Sequence, residues 1–155
     1  MLFKEYGRAE NDLGAWHDFG EDADTGKTVA FKLRDIPDHV DASIRKRLQI
    51  QRDGSMDLDM LKERAISVER CKYALLDSRN FEGAAQDQEG AEIYAKLIGR
   101  PLTMNEALSL DGKWTPELKE HVLRNQAWLR VWVIERLSAL SKSRRSEESV
   151  AAKNS

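Results

Sequence analysis

The spacing of apolar residues changes near residue 35 and divides the chain into a short strand region and a long helical region. Between residues 15 and 34, apolar and polar residues alternate, as at Val29, Phe31 and Leu33, around an acidic turn that contains glycine. A period of two is typical of strands, so the pattern predicts a β-hairpin over residues 15–34. Two strands alone are marginally stable in water. The hairpin therefore needs a helix to pack on, or a third strand from the first fifteen residues or from another chain.

From residue 36 onward, apolar residues recur every three or four positions, which is the spacing of one helix face. Glycine and proline interrupt this pattern, and capping residues restart it; Thr103 and Glu106, for example, have the spacing of a capping box. The pattern predicts helices over residues 36–52, 57–77, 87–98, 103–110 and 115–142.

The last helix has the clearest start signal and the most apolar segment. Thr115 can cap a helix, and Pro116 suits the first helical position because its missing N–H is not needed there. Over residues 127–134 every residue except Arg130 is apolar, so about two turns lack a water-facing side. Such a segment belongs in the centre of a domain or against a partner. A buried strand is the alternative, but no glycine or proline separates the segment from its helical flanks.

The predicted fold class is α+β and mainly α: an N-terminal β-hairpin followed by four to five helices, of which the last is long and rich in tryptophan. At 155 residues the chain has the length of one domain. We predict a single domain over residues 1–142, with its hairpin at 15–34 and its helical part at 36–142. Residues 143–155 are polar and without period, which predicts a disordered tail.

Charge and composition indicate where in the cell the protein is expected and which classes of partner are disfavoured. The chain has 25 basic and 27 acidic residues and a net charge of −2, so no overall field attracts nucleic acid or an anionic membrane. We find no membrane span or signal peptide in the sequence, and we expect a cytoplasmic protein. The single cysteine, Cys71, cannot form an internal disulfide and is predicted to be a buried apolar residue.

The sequence contains no complete linear motif for catalysis, cofactor binding or metal binding. Residues 20–28 suggest a phosphate-binding loop, but five residues instead of four separate the glycines, and a strand pattern follows. The three histidines, His17, His39 and His121, lack the close spacing of metal ligands on a helix. We therefore predict no catalytic, cofactor-binding or metal-binding residues and no enzymatic activity.

Two groups of residues are candidates for binding a partner. The first combines large aromatic residues with an arginine near the C-terminus, and these residue types often anchor interfaces. Core packing is the alternative for this group, which consists of Trp114, Trp128, Arg130 and Trp132. The second group is the basic helix with Arg45 and Arg47, which is either a solvated face or a contact for phosphates or for an acidic partner.

The order of short sequence signatures resembles a known protein family. A hairpin with a tryptophan comes first, followed by Leu-Arg-Asp-Ile-Pro-Asp at residues 33–38 and then by a basic helix. The next helix is long and ends with Ala-Leu-Leu-Asp-Ser at residues 74–78. Before the closing helix, residues 110–115 read Leu-Asp-Gly-Lys-Trp-Thr. Over residues 15–140 the chain resembles the small tail assembly chaperones of tailed bacteriophages and prophages. The resemblance implies a non-enzymatic protein of the bacterial host cytoplasm that binds the tape measure protein and recruits tail tube subunits.

A chaperone for long amphipathic helices would use an apolar groove with charged residues on both sides. We expect Trp128 and Trp132 to border such a groove or to hold together a homo-oligomer that forms it. Two alternatives remain open. One is another phage structural or head–tail joining protein, and the other is a small nucleic-acid-binding regulator that uses the basic helix at residues 45–52.

Overall fold

A computed structural model describes the backbone of residues 13–49 and 56–153 and the side chains of residues 13–48 and 62–143. The predicted α+β, mainly α fold class is confirmed, with an N-terminal sheet and a long final helix that contains Trp128 and Trp132. The strands are β1 (Ala15–Glu21), β2 (Thr28–Leu33), β3 (Leu75–Arg79), β4 (Glu82–Ala84) and β5 (Ala107–Ser109). The helices are α1 (Asp38–Gln49), α2 (Met56–Ala74), α3 (Gln88–Ile98), α4 (Pro116–Asn125) and α5 (Ala127–Lys153).

The predicted β-hairpin is present as the antiparallel pair β1 and β2. Its turn is held by Asp22, whose Oδ1 accepts hydrogen bonds from the backbone N–H groups of Asp24 and Thr25. The register shifts between Asp18 and Gly20, so Phe19 is an extra residue without a partner on β2. This β-bulge is the irregularity that the alternating pattern did not indicate.

The third strand of this sheet comes from a segment that we predicted to be helical. The helix predicted over residues 57–77 ends at Ala74, and β3 then pairs antiparallel with β2, which gives the order β1-β2-β3. Leu75 is fully buried in this strand. Pairing with β3 satisfies the backbone N–H and C=O groups on the side of β2 that faces away from β1. The third strand thus completes the hairpin from within the chain.

The short helix predicted over residues 103–110 is wrong. Residues Ala107–Ser109 instead form β5, which pairs with β4 in a second, two-stranded sheet. Asn105 has φ of 63°, a left-handed conformation that does not continue a helix. The carboxylate of Glu106 binds the guanidinium of Arg100 at 2.8 Å.

The closing helix begins as predicted but consists of two helices. The hydroxyl of Thr115 accepts a hydrogen bond from the N–H of Leu118, and Pro116 occupies the first turn of α4. The backbone leaves the helical conformation at Gln126, with φ of −111° and ψ of 86°, and α5 starts at the next residue. The helix then continues through residues 143–153, for which we predicted a disordered tail.

The core lies where α2, α4 and α5 pack together beside the three-stranded sheet. Its fully buried members include Phe31, Leu33, Leu75, Leu110, Leu118, Leu123, Leu129, Val133 and Cys71. Within the described residues, no helix combines the length and the apolar content that crossing a membrane requires.

Candidate protein-binding surface

Aromatic rings form a continuous cluster where α5 packs against the three-stranded sheet. Phe31 on β2 lies 5.1 Å from the ring centre of Phe81 and 5.4 Å from that of Trp132. Phe19 on β1 lies 5.2 Å from Trp128 and 5.5 Å from Trp132. Tilted and edge-to-face pairs at such distances attract one another, so the cluster fixes the start of α5 on the sheet.

One side of this cluster remains exposed. Phe31 is fully buried, whereas Phe19 is 45% and Trp128 is 42% exposed. Val131 lies one turn after Trp128 on the same helix face and is 58% exposed. We call Phe19, Trp128 and Val131 the aromatic surface. Neighbouring apolar side chains that stay exposed are more typical of interaction sites than scattered ones.

The backbone explains why these side chains are exposed. Phe19 is the bulge residue of β1, at the outer edge of the sheet. Trp128 lies in the first turn of α5, directly after the break between α4 and α5, and its indole N–H donates to the Oε1 of Gln126 at 3.0 Å. The bulge and the break were both absent from the sequence-based prediction, so Phe19 and Val131 were not among the candidate residues.

The three candidate tryptophans have different environments. Trp128 is part of the aromatic surface, whereas Trp132 is half-buried between Phe31 and Phe19. Trp114 is also half-buried; it stacks on Phe81 at 6.0 Å, and its indole N–H donates to the hydroxyl of Ser78 at 2.9 Å. Core packing therefore explains most of the contacts of Trp114 and Trp132.

A carboxylate that we did not select from the sequence organises the polar boundary of the cluster. Asp111 accepts hydrogen bonds from the hydroxyl of Ser78 at 2.7 Å, the N–H of Asn80 at 2.7 Å and the N–H of Phe81 at 3.2 Å. Asn80 has φ of 60°, so these bonds stabilise a strained turn between β3 and β4. The only sequence signal was the Asp-Gly pair at residues 111 and 112, which indicated a turn.

Arg130, a candidate for partner binding, is instead directed toward its own chain. Its Nη1 donates to the carbonyl oxygens of Leu123 at 2.6 Å and Arg124 at 2.9 Å. These carbonyls belong to the last turn of α4, where no N–H group of the same helix is available to donate to them. This end of a helix also has a partial negative charge, which attracts a guanidinium. Burial, together with the nearby guanidinium of Arg64, lowers the pKa of Arg130. Its contacts are those of a structural cap between α4 and α5.

The structure does not bring Arg45 and Arg47 into the aromatic cluster. Both lie on α1 and are exposed, by 45% and 61% of their side chains. Arg45 pairs with Asp41 at 3.3 Å, and Arg47 pairs with Glu69 of α2 at 3.5 Å. Exposed ion pairs of this kind contribute little to stability. Lys46 is also exposed on α1, and Arg52, at the end of the helix predicted over residues 36–52, lies outside the described residues.

The cysteine and the histidines are dispersed. Cys71 is fully buried, and burial raises the pKa of its thiol to about 12, so the reactive thiolate is not populated near neutral pH. Burial and the nearby Arg136 lower the pKa of His17. His121 is buried and contacts the ring of Tyr94. Among the residues that the structure describes, no group of three or more His, Cys, Asp and Glu side chains could hold a metal ion.

A groove of about 650 Å³ lies between α3 and α4. Its lining is acidic, but three of its four glutamates have cationic neighbours: Glu117 lies 3.7 Å from Lys96, Glu89 lies 3.9 Å from Arg124, and Glu120 lies 2.7 Å from Arg124. Most of the negative charge in the groove is therefore already compensated by the chain's own cations.

Comparison with known proteins gives no assignment: no family model, no curated protein and no solved structure matches the chain. The geometry of the aromatic surface is therefore the main guide to function.

Proposed function

We propose that this protein is a non-enzymatic binding protein that holds an apolar segment of a partner protein against the aromatic surface. The main support is that Phe19, Trp128 and Val131 lie together while remaining 45%, 42% and 58% exposed. Aromatic residues of this kind provide most of the binding energy when a partner excludes water from them. The buried rings beneath them keep the surface rigid, which lowers the entropy lost on binding.

The size of the surface indicates how strongly it can bind. Full burial of a large apolar side chain contributes about 2 kcal/mol. Because roughly half of each side chain remains to be covered, the three together contribute about 3 kcal/mol, or about a hundredfold in affinity. This is enough to select an apolar segment but not enough for stable binding, so a partner needs further contacts nearby.

The specific role that we propose is that of a tail assembly chaperone of a tailed bacteriophage or prophage, acting in the cytoplasm of the bacterial host. Its partners would be the tape measure protein and the tail tube protein. The support is the resemblance over residues 15–140, together with a surface suited to transient contacts. A chaperone must expose apolar side chains before it meets its partner and must remain folded while doing so.

The proposal expects a gene for a tape measure protein beside this one, and co-expression of the two proteins tests it. The intact chain should keep that protein in the soluble fraction. The double variant Phe19→Ser/Trp128→Ser should lose this effect. The control is Met104→Ser, which removes an apolar side chain of similar exposure, 47%, that lies outside both the aromatic surface and β1. Circular dichroism should show that both variants are folded.

Four results would contradict the proposal or redirect it. A tape measure protein that aggregates beside the intact chain, or stays soluble beside Phe19→Ser/Trp128→Ser, contradicts the chaperone function. Recovery of the protein in purified particles identifies a structural or head–tail joining component instead. A homo-oligomer that dissociates in the same variant identifies the aromatic surface as a self-association interface.

The nucleic-acid alternative has its own measurement. A regulator that uses α1 would form a complex with DNA in a gel shift at low salt, and the complex would weaken steeply as salt is added. We expect no complex, because the chain has a net charge of −2 and the carboxylates of Asp41 and Glu69 beside Arg45 and Arg47 reduce the positive potential of α1.

A further inference from the structure

We propose that the partner segment at the aromatic surface is an extended strand bearing lysine or arginine, which adds to the outer edge of β1. This inference rests on the proposed function in one respect: the aromatic surface provides the apolar contacts. It goes further because it specifies the conformation and the charge of the segment that binds.

The backbone of β1 is available for such pairing. β1 is the first strand in the order β1-β2-β3, and among the described residues it pairs with β2 alone. In an antiparallel pair, alternate residues direct their N–H and C=O groups away from the neighbouring strand. Every residue of β1 except His17 is exposed, so this outward row of groups is accessible. Such an edge is a template for a further strand.

The aromatic surface adjoins the same edge. Phe19 belongs to β1, and its ring lies 5.2 Å from Trp128 on α5. A strand added to β1 would lie about 4.8 Å from it, which is within side-chain contact of Phe19. Its apolar side chains on the α5 side would cover Phe19, Trp128 and Val131, while its backbone paired with β1. The added strand would thus provide the further contacts that the small aromatic surface requires.

Charge determines which strand fits. β1 contains two carboxylates, Asp18 and Glu21, and no lysine or arginine, and the turn that follows it adds Asp22 and Asp24 against one basic residue, Lys27. A second copy of β1 would place carboxylates opposite carboxylates, which is unfavourable between neighbouring strands. A strand with lysine or arginine at these positions would meet opposite charges instead. The acidic edge therefore selects a basic partner and disfavours self-association.

Three labelled peptides of equal length, measured by fluorescence anisotropy with the full chain, test the inference. One alternates valine and lysine, one alternates valine and glutamate, and one is an amphipathic helix of leucine and lysine. We expect the valine–lysine peptide to bind most tightly. Hydrogen exchange should then show protection of those β1 amides that point away from β2, with no change in the amides that already pair with β2.

Charge reversal on the edge provides the second readout. Asp18→Lys/Glu21→Lys should weaken binding of the valine–lysine peptide by about tenfold and shift the preference to the valine–glutamate peptide. Both residues are exposed, so the fold should be retained. The control Glu63→Lys/Glu92→Lys makes the same change in net charge at exposed helical positions and should leave the affinity within about twofold.

The outcomes separate this inference from the proposed function. Absence of valine–lysine binding, or an affinity unchanged by Asp18→Lys/Glu21→Lys, overturns the strand addition. Tight binding of the helical peptide with protection on α5 but not on β1 also overturns it, while the proposed function stands. Conversely, protection of β1 by the valine–lysine peptide supports the strand addition. If Phe19→Ser/Trp128→Ser still keeps the tape measure protein soluble, that result contradicts the proposed function alone.

Discussion

Replacement of Asp111 by alanine tests how far one carboxylate organises the region around the aromatic cluster. Its loss would leave the hydroxyl of Ser78 and the N–H groups of Asn80 and Phe81 without their acceptor. A hydrogen bond to a charged group contributes about 1.5–3 kcal/mol. Asp111 is half-buried, so the lower end applies to the two bonds of 2.7 Å, and the bond of 3.2 Å adds little.

We therefore expect Asp111→Ala to lower the free energy of unfolding by about 3 kcal/mol. Urea denaturation followed by circular dichroism measures this as a lower midpoint with an unchanged slope. Asp111→Asn should cost about half as much, because its amide oxygen can still accept from Ser78 and Phe81 while its NH₂ group faces the N–H of Asn80. Asp24→Ala, at an exposed turn position, is the control and should change stability by less than about 0.5 kcal/mol.

A loss below about 1 kcal/mol for Asp111→Ala would refute the reasoning. It would mean that water replaces the carboxylate as acceptor and that the strained turn at Asn80 is stabilised by other contacts. A loss equal for Asp111→Ala and Asp111→Asn would show that the negative charge matters and the individual acceptor positions do not.

Three further predictions concern the neighbouring residues. Trp132→Ala should lower the free energy of unfolding by about 3 kcal/mol because it opens a cavity beside buried Phe31, whereas Trp128→Ala should cost only about 1 kcal/mol; urea denaturation compares the two. Cys71 should react slowly with iodoacetamide at neutral pH in the native protein and rapidly in urea, because burial raises its pKa to about 12; mass spectrometry measures the labelling rate. Arg130→Met, which keeps an apolar stem but removes the bonds to the last carbonyls of α4, should cost about 2 kcal/mol, as measured by thermal or urea unfolding.

Each of these has an outcome that contradicts it. Equal losses for Trp132→Ala and Trp128→Ala would show that exposure does not separate the two side chains. Rapid native labelling of Cys71 would show that the core around it opens readily. An unchanged stability in Arg130→Met would mean that Arg64, which also donates to the carbonyl of Arg124 at 2.9 Å, is a sufficient cap.

Much of the local structure was predictable because its signals are short-range. The hairpin followed from alternation at Val29, Phe31 and Leu33, and the starts of α3 and α4 followed from Asp87 and Thr115, whose side chains accept hydrogen bonds from backbone N–H groups three residues later. A capping side chain reaches only its own helix turn, so the sequence contains all the information that it needs. Trp128 was also among the candidate residues, because the apolar segment at residues 127–134 indicated a partner or a core.

The remaining features depend on residues far apart in the chain. Leu75–Arg79 continues a helical pattern in the sequence, but the open edge of β2, more than forty positions earlier, makes a strand more favourable there. The assignment of Trp132 to the core and of Trp128 to the surface likewise depends on where Phe31 and Phe19 lie across the sheet. The sequence by itself determined which segments are amphipathic and where α3 and α4 begin. Only the tertiary structure decided which of their faces are covered, because pairing and burial are set by distant segments that local patterns do not encode.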